Sequence, residues 1–190
     1  MDKYGTDATR FGLAYQNTGT QDIKFSEESI LAGKKFANKI YNASKFVIMN
    51  LNNQQFNYVT IKQCNNLAMT NADREILTKL NDTIKKVDKY IDKYEFGQAS
   101  HELYDFFWHD FCDIYLEKSK KQMQDKKLKQ NTQQILLYTL ISSLKLLHPF
   151  MPFITEELWQ KLPLKKKVKS IMISYWPCLL YTSDAADELD

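Results

Sequence analysis

The side chain whose type and position invite chemistry is Phe46. It sits within Ser26–Leu51, SEESILAGKKFANKIYNASKFVIMNL, a stretch that reads as one long helix. At about 100° per residue, Ile30, Gly33, Phe36, Ala37, Ile40, Ala43, Ser44, Val47, Ile48 and Leu51 share one broad face that can bury. Phe46 falls more than a quarter turn from that face, among Lys35, Lys39 and Asn42. A large ring in such company has two readings. Another helix or a loop covers it, or it is a platform for an unstacked nucleotide base, with the lysines on the flanking phosphates. The chemistry is then non-covalent: stacking on a π face, reinforced by ammonium–phosphate attraction.

Covalent chemistry has little support. The chain contains no Gly-rich phosphate loop, GxSxG, HExxH or dinucleotide fingerprint, and its five glycines leave little room for one. His109 and Cys112 stand at i, i+3 but lack a third ligand of matching phase, so no metal is expected. His101 and Asp105 read as an ordinary i, i+4 helix pair, and Asp105, Asp110 and Asp113 are expected on the solvent side of their helix. The three cysteines, Cys64, Cys112 and Cys178, have no CxxC spacing and suggest neither a zinc site nor a disulfide framework.

The elements that must position Phe46 follow from periodicity. Thr6 can cap a short helix through about Tyr15, closed by the turn Asn17-Thr18-Gly19; Asp22–Phe25 reads as extended; Ser26, with Glu27 and Glu28, starts the long helix with an oxygen cap and dipole-matched acids. After an amide-rich connector at 52–66, a second long helix begins at Thr70 or Asn71 and carries Ile76, Leu80, Ile84, Val87 and Ile91 inside. A third begins about Glu95, with Phe96, Ala99, Leu103, Phe106, Phe107, Phe111, Ile114 and Tyr115 on a wide buried face. Lys118–Lys129 (KSKKQMQDKKLK) reads as a solvated helix end and loop. Asn131 or Thr132 caps a fourth helix, apolar on nearly all sides, which Pro149 ends by pushing His148 out of helical geometry. Pro152 fixes a turn, Thr155 opens a short helix ending near Leu162, and SIMISYWP alternates like a strand. The sum is an all-α fold, an antiparallel bundle of four or five helices.

Composition bounds the partners. At 44% hydrophobic and 13% aromatic the chain is globular, with no apolar run near the roughly 18 residues a membrane span needs, and a cytoplasmic monomer is expected. Residues 178–190, CLLYTSDAADELD, break with what precedes them and resemble the translation of a sequencing-library adapter, a non-native tail. Four of the 23 acids and none of the 26 bases lie in that tail, which leaves residues 1–177 with 26 against 19, a net +7. Such a surplus favours an anionic partner.

KYGTDATRF (3–11), DIKFSEE (22–28), FANKIYNASKFVIMNL (36–51), KYEFGQASHELYDFFWHDFCDIYLE and LLHPFMPFITEELWQKLP occur in the order found in the anticodon-binding region of class I aminoacyl-tRNA synthetases, which the chain resembles over roughly residues 2–177. The intact PFMPFITEELW, DFCDIYLE and SIMISYWP are most similar to the valyl branch; the same region of a leucyl or isoleucyl enzyme is the alternative within the class, and a helical protein-interaction module is the alternative outside it. The resemblance implies residues 1–25 as a segment joining a catalytic domain to the bundle at 26–177. It also implies a parent enzyme that uses ATP with magnesium and valine, and tRNA-Val as partner together with the catalytic and editing domains of the same chain. The HIGH and KMSKS motifs are not in this sequence, so no catalytic residue is expected here. The family's first bundle helix presents a basic residue followed by an aromatic to the anticodon, which falls on Lys45-Phe46, with upstream basic positions at Lys35 and Lys39. Docking is thereby assigned to Phe46 and the lysines, and base reading to the amides Asn38 and Asn42. Asp7 and Arg10 match the family motif too, or else form a local salt bridge three residues apart.

Overall fold

The computed structural model describes residues 4–17, 19, 26–51, 69–165 and 168–179. The expected extended segment at 22–25, the connector at 52–66 and most of the tail lie outside these. The fold is all-α. Helix α1 spans Thr6–Gln16 and α2 spans Glu27–Asn50. Helix α3 spans Asn71–Asp92. Then α4 (Phe96–Asp105) runs through a π-helical stretch (Phe106–Tyr115) into α5 (Leu116–Gln122). Helix α6 spans Lys126–Leu147, α7 spans Pro152–Lys161, and a 3₁₀ turn covers Ile171–Ile173.

Helix α6 is the axis of the bundle. From Ile135 to Leu147 every residue is buried, because α2, α3, α5 and α7 pack around it. The inner face of α2, with Phe36, Ile40 and Val47 fully buried, closes one side, and Ile76, Leu80, Ile84 and Val87 of α3 close another. Helices α1 and α2 cross at backbone contact. A Cβ on Gly33 would lie 2.4 Å from the Ala8 carbonyl oxygen, and one on Gly12 would lie 2.8 Å from that of Ser29. Only glycine permits this approach, so α1 packs directly against α2.

Caps explain several boundaries. Thr70 and Asp73 form a reciprocal capping box that starts α3. Its end is a Schellman motif, with Glu95 N–H donating to Tyr90 C=O and Tyr94 N–H to Ile91 C=O; Tyr94 takes the left-handed conformation (φ 59°) that glycine usually fills. Other boundaries correct the sequence reading. Gly5 rather than Thr6 is the residue preceding α1, and the Ser26 hydroxyl makes no cap bond to α2. Asp125 caps α6, accepting from Lys127 N–H, so the helix starts about six residues before Asn131 and Thr132, which are buried. His148 keeps helical dihedrals (φ −56°, ψ −40°) even beside Pro149. Helix α7 starts at Pro152 in the N1 position, three residues before Thr155.

Two patterns also came out differently. In the π-helical stretch the wider turn sets burial at a spacing of five, pairing Phe106 with Phe111 and Phe107 with Cys112, while Ile114 and Phe96, expected inside, are exposed. SIMISYWP forms no strand. The Glu156 carboxylate accepts from Ser170 Oγ and Ile171 N–H, which starts the 3₁₀ turn, and the rest lies extended over α3 and α6, tied by Trp176 Nε1–H to Asp88 at 2.7 Å and Lys145 to the Tyr175 carbonyl at 2.9 Å.

Candidate nucleic-acid interface

Along α2, Lys35, Lys39, Asn42 and Phe46 follow one another at spacings of four, three and four, and so form one stripe on its flank. Lys35 and Asn42 are exposed. Phe46 is half-buried rather than free in solvent: part of the ring packs on the core, and the Lys120 ammonium of α5 stands 5.7 Å from the ring centroid. The ring is therefore neither sealed beneath a helix nor fully open. Part of it packs on the core, and the Lys120 ammonium stands over the ring.

The remaining expected residues divide. Lys39 is committed to the protein, 2.7 Å from Asp113 and 4.8 Å from the Trp108 ring centroid. It anchors α2 to the π-helical stretch, and phosphate contact requires breaking that pair. Lys45 is exposed and projects about 100° around α2 from Phe46. Asn38 is exposed at the edge of the stripe, three residues after Lys35 and four before Asn42, and with Lys34, Ala37 and Tyr41 it also lines a groove of about 530 Å³ between α1, α2 and α7. Helix α2 thus carries Lys35, Asn38, Asn42 and Phe46 along one flank, with Asn38 at its edge.

What the sequence reading missed is the neighbour of the ring. Lys120 belongs to the stretch read as a solvated linker, and no local signal says that α5 lies beside the C-terminal half of α2. That end of the bundle is built from buried polar groups. Tyr115 donates to Asp73 at 2.6 Å, Gln122 donates to Thr70 at 2.6 Å, Thr132 donates to Gln122 at 3.1 Å, and Gln133 bonds the Asn50 carbonyl. The end of α2, the end of α5 and the starts of α3 and α6 are locked together there. Burial beside the Asp73 carboxylate drives the Tyr115 hydroxyl far above its ordinary value, so it stays a donor.

Asp7 and Arg10 do not pair with each other as a local salt bridge. The Asp7 carboxylate accepts from Phe153 N–H (3.2 Å) and Ile154 N–H (2.6 Å), capping α7 from another helix, and Arg10 donates to the Pro149 carbonyl at 3.0 Å. Both brace α1 against the α6–α7 corner. His101 likewise turns to α1, with Nε2–H donating to the Tyr15 carbonyl at 2.9 Å, rather than to Asp105. Asp110 and Asp113 accept from Lys79 and Lys39. Cys112 is buried, which pushes its thiol up to about 12, and His109 pairs with Asp113 at 3.5 Å. Among the described residues no His, Cys, Asp and Glu cluster could hold a metal, and no helix is long and apolar enough to cross a membrane.

The arrangement sets an aromatic ring and amides beside cationic side chains on one helix flank. Residues 73–189 match the family described as the anticodon-binding domain of tRNA ligase. The valine–tRNA ligase of Listeria monocytogenes is 45% identical over 179 residues, 93% of this chain and 20% of the relative. That of Bacillus subtilis is 42% identical over 182 residues, 95% of this chain and 20% of the relative, and that of Geobacillus stearothermophilus is 42% identical over 194 residues, 100% and 21%. The chain spans about a fifth of the length of these relatives. A LeuRS of Agrobacterium radiobacter K84, solved in a ternary complex with tRNA and LeuAMS, shares the fold with a TM-score of 0.67 at 19% identity, over 93% of this chain and 20% of that one.

Proposed function

Since the chain belongs to the family of anticodon-binding domains of tRNA ligases and is homologous to valine–tRNA ligases, we propose that it docks the anticodon arm of valine tRNA for such an enzyme. The observation that carries the reading is the half-buried ring of Phe46 on the flank of α2, beside the Lys120 ammonium. A base stacked there displaces the Lys120 side chain from over the ring, and stacking contributes roughly 1–3 kcal/mol. Telling one base from another takes paired hydrogen bonds, and Asn42, one turn from the ring, is the amide within reach of that task. Asn38, one turn before Asn42 on the same helix, is the second amide assigned to it.

In the parent enzyme, ATP with magnesium and valine belong to the catalytic part, and no residue of this chain is assigned to them. The parent is read as a cytoplasmic monomer. The chain by itself is expected to give no valine-dependent pyrophosphate exchange; detecting exchange with the purified chain overturns that assignment. Binding of purified valine tRNA is expected to weaken steeply as salt rises, with a slope set by the number of phosphates contacted. A helical protein-interaction module predicts no such binding, and a flat salt response in a filter-binding titration sinks the RNA reading.

A further inference from the structure

We propose that the α5–α6 corner is a second RNA-contact site, in which Lys121, Lys126 and Lys127 hold phosphates of the strand that carries the base stacked on Phe46. The inference rests on the RNA reading and extends it to residues that no likeness assigns.

The geometry is as follows. Met123–Asp125 is a hydrogen-bonded turn and not a loose loop: Met123 N–H donates to Ser119 C=O, Gln124 N–H to Lys121 C=O, and Asp125 N–H to Gln122 C=O. Gln122 is pinned from both sides by Thr70 and Thr132, so the corner is rigid against the bundle. It adjoins the platform, because Lys120, in the same turn of α5 as Lys121, stands over the Phe46 ring. Lys118 and Lys120 are paired with Glu75 (3.1 Å) and Glu117 (2.6 Å). Lys121, Lys126 and Lys127 are exposed and make no ion pair among the described residues. The one acid of the corner, Asp125, is turned to the Lys127 backbone N–H. Three exposed ammonium groups beside the first turn of α6, whose N–H groups add positive partial charge, make a concentrated anion-facing surface. Its function is to grip the sugar–phosphate strand, not to read sequence.

The test uses the 190-residue chain and purified valine tRNA as the probe. One variant carries Lys121→Gln, Lys126→Gln and Lys127→Gln. A control of equal net charge carries Lys85→Gln and Lys89→Gln on α3 and Lys93→Gln just past its end; the start of α3 adjoins the corner and its end lies about 30 Å further along at 1.5 Å per residue. The corner variant is expected to lose about tenfold or more in affinity, with a plot of log affinity against log salt shallower by about 2, while the control changes the slope by far less. Equal losses in both variants, or no loss in the corner variant while Phe46→Leu still weakens binding, overturn the corner site and leave the platform standing. If neither the corner variant nor Phe46→Leu weakens binding, the RNA reading itself fails and takes the corner with it. All six lysines are exposed, so far-UV circular dichroism and thermal midpoints are expected to stay at the parent values.

Discussion

Phe46 does two jobs at once, and that shapes how it can be tested. The ring packs in part with the bundle, and the Lys120 ammonium stands over it. Truncation to alanine therefore mixes lost packing with lost stacking. Phe46→Leu retains apolar contact but removes the flat face, and it is expected to cost about 1–3 kcal/mol of tRNA binding with a small change in denaturation midpoint. Unchanged affinity in a filter-binding assay removes the platform. The phase of the ring was legible in the sequence because helical angle needs only residue number. Its partial burial was not, since that depends on α5, which arrives from 70 residues further along the chain. The same holds for Lys39. Its place in the basic stripe is a matter of spacing, whereas its capture by Asp113 and Trp108 is tertiary.

At the scale of elements, local periodicity found most of the helices, and missed where a terminus is satisfied from elsewhere. Helix α7 begins at Pro152 because Asp7, on α1, supplies the acceptors for Phe153 and Ile154 N–H. No reading of residues 149–160 alone can show that. Helix α6 begins at Lys126 because lysine is a good helix former and Asp125 caps it, while the reading by apolar spacing waited for the first leucines and isoleucines. SIMISYWP has the alternation of a strand but no partner strand among the described residues, and Glu156 organises it instead. From this, Asp7→Ala is expected to destabilise the chain by about 1–2 kcal/mol, the worth of a helix cap, measured as a lowered urea midpoint. An unchanged midpoint contradicts the bracing role of α1. The close backbone crossing at Gly33 and Ala8 is the second half of that brace.

Over the whole molecule, the features that favour RNA collect at one end. The stripe of α2 leads to the end where α5, α3 and α6 meet in a buried polar network, and the lysine-rich corner sits on the same end. The net +7 of residues 1–177 was visible in composition, but composition could not say that part of it gathers beside a ring. The valine–tRNA ligases it resembles cover 93–100% of this chain, which spans about a fifth of their length. If this end meets the anticodon of valine tRNA, the affinity of the chain for valine tRNA falls when the middle anticodon base is replaced. A loss of about tenfold or more is expected, the size of one mispaired base contact. Equal affinity for the two RNAs contradicts it.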